Sequence, residues 1–223
     1  MAEKKKVNLD QIVVLKDVRL SFPHLFEPQE RENDDGTKRK NYNCALLIPK
    51  DHPQVKTMLA AFKKAATAAR KKAWGDDPVR WPNVPSHQVA LKDGDNPDHT
   101  DRPEYEGHYF LNASAPVDRP PRVLTNRKDS NNRWIKAEQG EKGAVYAGCF
   151  VNSIIEIWGQ KKDSKKNMPN RINAGVQTVQ FRRDGDPFTV QPVDPNDLLD
   201  DDDVSTEGEI GDDDDGDDGD GLI

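Results

Sequence analysis

Cysteine is nearly absent from these 223 residues: only Cys44 and Cys149 occur. Two cysteines do not make a disulfide framework. Both lie in apolar, strand-like runs, where a free thiol behaves as a small buried hydrophobe. No apolar run approaches membrane-spanning length. The basic start, Met1 to Lys6, is not followed by the apolar stretch of a signal peptide. Together these gaps predict a protein of the cytoplasm with no membrane partner. Chemistry-bearing motifs are missing as well. There is no G-x-x-x-x-G-K-[ST] or G-x-G-x-x-G phosphate loop and no G-x-S-x-G nucleophile elbow. The five histidines (His24, His52, His87, His99, His108) have no metal-ligand spacing. The acidic run at 93–101 hints at a calcium loop, but Pro97 stands where a third ligand belongs. The expectation is a non-enzyme with no metal and no cofactor.

What is abundant is charge, and it is segregated. Residues 194–223 hold thirteen Asp and two Glu with no Lys or Arg, which leaves 33 basic against 25 acidic residues in 1–193. A basic body joined to an acidic tail predicts a polyanion partner and an interaction tail. The tail is mostly Asp and Gly and cannot bury enough surface to fold, so it is expected to be disordered. The domain reading is a basic extension at 1–11, a binding domain at 12–193 and the acidic tail at 194–223.

Strand signals dominate the body. Residues 12–22 alternate, with Val14, Val18, Leu20 and Phe22 on the expected buried face and Pro23 as terminator. Residues 42–48, closed by Pro49, form the return strand of a hairpin with a long charged loop. Asp51 is placed to cap a helix over 53–74, where Val55, Met58, Leu59, Phe62, Ala66, Ala69 and Ala73 repeat at helical spacing. The Pro- and Asp-rich stretch 75–107 reads as a long irregular loop. Further strands are expected at 108–113, 122–125, 134–135, 145–158 and 171–182. Short strands with a single helix suit a small closed barrel or sandwich.

The stretch 145–158 carries the functional signal. Its odd positions (Val145, Ala147, Cys149, Val151, Ser153, Ile155, Ile157) are small and almost wholly apolar, so they face the core. Its even positions set Tyr146, Phe150 and Trp158 among Gly148, Asn152 and Glu156. Rings on the wetter face of a strand are what base stacking needs, though packing under the helix or against a second copy remains an equal alternative. Basic clusters adjoin aromatic residues three times. Arg39 and Lys40 precede Tyr42; Arg127, Lys128 and Arg133 flank Trp134; Lys161, Lys162, Lys165, Lys166 and Arg171 follow Trp158. Cations supply non-specific affinity for phosphates, and rings supply a single-strand preference. Tyr42, Trp134, Phe150 and Trp158 with these cations are the candidate DNA-binding residues. The rival from another class is an assembly protein whose tail serves as a recruitment segment or DNA mimic.

Several strings occur in a telling order: Leu20-Ser21-Phe22-Pro23-His24-Leu25-Phe26-Glu27-Pro28, the helix ending at Trp74, Tyr109-Phe110-Leu111-Asn112-Ala113, Tyr146-Ala147-Gly148, and Gly175-Val176-Gln177-Thr178-Val179-Gln180-Phe181. The ordered set resembles a family of phage single-stranded DNA-binding proteins, over roughly residues 12–188, and is similar to the corresponding proteins of T7-like phages. The resemblance implies a mainly β chain: an OB-fold, a five-stranded barrel with one inserted α-helix and long loops. It implies a role in DNA replication or recombination in the bacterial host cytoplasm, with single-stranded DNA as partner. Weaker duplex binding and self-association on DNA are further expected partners. The acidic tail, with Asp212, Asp213, Asp214, Asp215, Asp217, Asp218 and Asp220, is expected to bind replication or recombination proteins and to compete with DNA. Many relatives end in an aromatic residue, whereas this chain ends in Ile223.

Overall fold

The computed structural model describes residues 8–32, 38–97 and 102–188. Eight strands and one helix follow in the order β1 (Ile12–Glu32), β2 (Lys38–Pro49), α1 (Val55–Trp74), β3 (Leu91–Asp93), β4 (His108–Pro116), β5 (Arg122–Lys128), β6 (Trp134–Lys136), β7 (Phe150–Gln160) and β8 (Arg171–Arg183). β1 pairs antiparallel with both β2 and β7, β2 with β4, and β7 with β8. A parallel contact, Ser114 opposite Gly175, joins β4 to β8 and closes the ring. The result is a five-stranded barrel of order β1-β2-β4-β8-β7, the OB-fold arrangement.

Strand alternation fills the barrel. Val13, Leu15, Val18 and Leu20 of β1 meet Cys44, Leu46 and Ile48 of β2, and Val151, Ile155 and Ile157 of β7. Each fully buried aliphatic of this kind contributes about 1.5–3 kcal/mol. Burial also pushes the Cys44 thiol up to about 12 and the Cys149 thiol to about 11, so neither is a reactive thiolate at neutral pH. Helix α1 adds Met58, Phe62, Ala65 and Ala69 to the same core. It crosses β7 where Gly159 leaves room, since a Cβ there would lie 2.7 Å from the Ala73 Cβ.

A second, smaller core sits outside the barrel. Ala45 and Leu47 of β2 and Phe110 of β4 pack with Tyr105, which arrives from the segment before β4. That segment is pinned by Lys50, whose ammonium lies 2.6 Å from both Asp93 and Asp95. The Asp95 carboxylate also accepts the Gly107 N–H at 2.6 Å.

Four local expectations are corrected. β1 does not stop at Pro23 but runs on to Glu32 as a long ribbon with β2, because Pro23 falls at a break in the pairing between Ser21 and His24. An amide-less residue at a bulge removes no ladder hydrogen bond. The β1 alternation also slips: Val13 and Leu15 are buried while Val14 is exposed, and Val18 and Leu20 are buried while Phe22 is exposed. The slip occurs at Asp17, whose positive φ of 54° marks a bulge between Leu15 and Val18. Asp51 does not cap the helix. α1 begins at Val55 behind Gln54, and the Gln54 N–H is taken by the His52 ring instead. Finally, 145–149 is a turn rather than the start of β7, with Gly148 at φ 104° beside the Asp186 carbonyl. The irregular reading of 75–107 holds over its described residues, 75–97 and 102–107, except for β3 and short 3-10 turns.

Candidate nucleic-acid interface

The outer face of β7 carries Phe150, Asn152, Ile154, Glu156 and Trp158, all partly or well exposed. Their cross-strand partners on β8 are Arg183, Gln180, Thr178, Gly175 and Asn173, and amides link the two strands. Asn152 donates to Gln180, Gln177 to Glu156 and Asn173 to Gln160, at 3.1–3.3 Å. Trp158 lies opposite Asn173 and beside Gly175, and it remains 40% exposed. A glycine near the indole nitrogen leaves that edge of the ring uncrowded. This face is therefore a polar floor, charged at its Phe150 end by Arg183 and Arg19, with one open ring.

The cations stand at the ends of that floor. The turn between β7 and β8 presents Lys161, Lys162 and Lys165 to solvent. It is shaped by Asp163, which accepts the Lys165 N–H at 3.0 Å, and by Asn170, which accepts the Lys162 N–H at 2.8 Å. Lys166 shares this turn, and its side chain falls outside the described residues. Arg171 opens β8 opposite Gln160 and is exposed. Because β4 and β8 run parallel, this end of β8 lies beside the start of β4 and β3. There the Lys92 ammonium joins the group. Burial first, and then the charges of Arg171 and Arg102, hold its pKa below the ordinary lysine value.

The other end of β8 carries the β5–β6 hairpin, since Arg122, Val123 and Leu124 pair with Thr178, Val179 and Gln180. Eight residues of β-strand separate Arg171 from Val179, about 26 Å at 3.3 Å each. Trp134 stands 48% exposed on the hairpin, with the Lys128 ammonium 4.7 Å from its ring centroid. Lys128 in turn donates to Asn132 at 2.9 Å. Arg127 and Arg133 are exposed beside it. Asp129 tightens the turn by accepting the N–H groups of Asn131 and Arg133 at 2.9 Å. Arg39 and Lys40 project from the β1–β2 ribbon, whose Asn41 is level with Pro116 at the far end of β4.

Two predicted rings are engaged elsewhere. Phe150 is clasped by guanidiniums: Arg183 lies 3.4 Å and Arg19 5.5 Å from its ring centroid. Arg183 is itself fixed by a two-bond pairing with Asp17, each bond 3.0 Å. Tyr42 is half-buried against the main core, level with Ala115. The fold thus gathers Trp158, Arg171 and the 161–165 lysines at one end of β8, and Trp134 with its cations at the other. Sequence reasoning passed over Lys92 and Arg102. They lie in an aperiodic stretch; the pairing of β3 with β4 brings Lys92 to this face, and the contact with Tyr105 holds Arg102 near it.

A family model described as the ssDNA-binding protein of Enterobacter phage Enc34 matches residues 11–208. The chain belongs to this family. Protein p50 of Acyrthosiphon pisum secondary endosymbiont phage 1 is 30% identical over 182 residues, covering 79% of this chain and 86% of that protein. The Enc34 family also has solved structures. The bacteriophage Enc34 single-stranded DNA-binding protein in complex with ssDNA aligns with a TM-score of 0.62 and 27% identity, covering 84% of this chain and all of that one. A C-terminal truncation of the same Enc34 protein aligns with a TM-score of 0.61 and 26% identity, over 82% and 95% of the two chains.

Proposed function

We propose that this Enc34-family chain binds single-stranded DNA without sequence preference and protects it during phage DNA replication and recombination in the host cytoplasm. The observation that carries the reading is Trp158: an exposed indole on the outer wall of an OB barrel, beside Gly175, at the end of the floor where Arg171 and the lysines of the β7–β8 turn stand. Bases of any identity stack on such a ring, and the cations hold phosphates. The relative solved with ssDNA supports the substrate class. Among the described residues no helix is long and apolar enough to cross a membrane.

The tail residues Asp212, Asp213, Asp214, Asp215, Asp217, Asp218 and Asp220 lie outside the described residues, as does the boundary drawn at 193/194. Their charge complements the basic body. In this reading the tail competes with DNA for the cations and recruits replication proteins when displaced. The division into an extension at 1–11, a binding domain at 12–193 and a tail at 194–223 belongs to the same proposal.

Tryptophan fluorescence titrated with oligo-dT at two salt concentrations tests both parts, using the full chain and a chain ending at Val193. Salt-sensitive quenching, stronger in the shortened chain, is expected. Equal affinity in both would remove the tail competition. No quenching and no shift in either would remove DNA binding.

A further inference from the structure

Phe22 is the feature of this molecule that packing does not explain. It lies in a strand of an otherwise well-filled barrel, yet it is 50% exposed. Its backbone is left-handed, with φ at 46°. For a bulky side chain that conformation costs of order 1–3 kcal/mol, and it persists only where the surroundings impose it. The surroundings here are a bulge. The β1–β2 pairing breaks between Ser21 and His24, Ser21 and Leu25 turn inward, and Phe22 is turned out.

The ring is not bare. The Arg102 guanidinium sits 5.6 Å from its centroid and 5.4 Å from that of Tyr105, and it donates to the Tyr105 hydroxyl at 3.4 Å. Arg102 is thereby anchored on the buried Tyr105–Phe110 pair, whose centroids are 4.6 Å apart. Lys92 reaches over the same Phe110 ring at 6.0 Å. Arg102 and Arg171 both act on Lys92, so the three cations form one field. They come from three separate segments and run from Trp158, next to Asn173 and Arg171, across β3 and β4 to Phe22 on β1. From β7 through β8, β4 and β2 to β1 is four strand spacings, about 20 Å.

We propose that Phe22 is a second base-stacking ring, and that the bound strand runs from Trp158 past Arg171, Lys92 and Arg102 to reach it. This rests on the reading of the barrel as a single-stranded DNA-binding module and adds a direction and a distal contact. A single strand suits the features in a way that a protein partner does not. The route alternates the exposed Trp158 and Phe22 rings with the Arg171, Lys92 and Arg102 cations. The Arg102 guanidinium covers one side of Phe22 and leaves the ring a cation-backed platform for a base.

The test is anisotropy of dye-labelled oligo-dT with the full chain, using strands of about 4 and about 15 nucleotides, the extremes of OB-fold site sizes. Phe22→Ala is expected to weaken the long strand about tenfold and the short strand much less, because a short strand can occupy the Trp158 end alone. Phe22→Tyr keeps the ring and is expected to bind both like the wild type. Lys92→Gln, which leaves the β1 bulge untouched, is expected to flatten the salt dependence on the long strand by about 0.7 in logarithmic slope. Unchanged long-strand affinity in Phe22→Ala overturns the proposal, and so does a loss shared equally by both lengths. If the wild type binds neither strand, the DNA reading itself falls and this route with it.

Discussion

Phe150 and Trp158 stand eight residues apart on the same face of the same strand, and they have opposite fates. Phe150 is held between Arg183 and Arg19, with Arg183 tied to Asp17. Trp158 is 40% exposed and faces Gly175. The first ring stabilises the junction where β1, β7 and the end of β8 meet. The second is left open to solvent. An aromatic residue on the wet face of a strand is therefore not yet a binding residue. Whether its cationic neighbours cover it or stand beside it decides.

The strongest break of this comparison is Trp158→Ala. Loss of one stacked base is worth about 1–3 kcal/mol, so affinity for oligo-dT should drop roughly five- to hundredfold with melting temperature nearly unchanged. A binding isotherm paired with a thermal melt measures both. Phe150→Ala should show the reverse pattern. Removing a half-buried ring and two cation–π contacts should cost about 1–3 kcal/mol of stability while DNA affinity shifts less than in Trp158→Ala. If the two variants behaved alike, the contrast between a covered ring and an open one would be wrong.

A third variant sharpens the role of the neighbours. Changing Lys161, Lys162 and Lys165 together to Gln should flatten the salt dependence of binding by up to about 2 in logarithmic slope, at about 0.7 per phosphate contact. A slope equal to the wild type's would show that the turn between β7 and β8 does not touch the strand. The smallest effect concerns the segment that covers the outer side of β2 and β4. The Lys50 ammonium, and after it the Gly107 N–H, hold the Asp95 carboxyl below its usual pKa. A depressed folded-state pKa gives stability that is present above the ordinary carboxylate value of about 3.9 and is lost as pH falls through the folded value. The protection factor of the amides around Gly107, which is exchange corrected for its intrinsic pH dependence, should therefore fall in acid below that point, and Asp95→Asn should remove that fall. A protection factor that is flat with pH in the wild type would refute the anchor.

Much of the barrel was legible in the residues. The odd positions Val151, Ser153, Ile155 and Ile157 are buried as period two requires, and the Ala-rich helix ends at Trp74 as its pattern predicts. β1 was legible only in part. A bulge is a backbone event, and Asp17 at φ 54° gives no signal in hydropathy, yet it exchanges Val14 for Val13 and Leu15 at the core. The site divides in the same way. Basic clusters next to Trp134 and Trp158 could be read directly, because both members of each pair lie close in sequence. Lys92 and Arg102 could not, because 75–107 has no period and its residues meet Arg171 and Phe22 only across paired strands.

The sequence by itself determined the class of the molecule: a basic, strand-rich body with one helix, an acidic tail, and rings interleaved with cations. These follow from composition and from alternation along single strands, which are local properties. Tertiary structure alone decided which rings are open. Among the described residues a guanidinium from β1 or β8 reaches Phe150 but none reaches Trp158, and that difference depends on side chains brought together by the closure of the barrel.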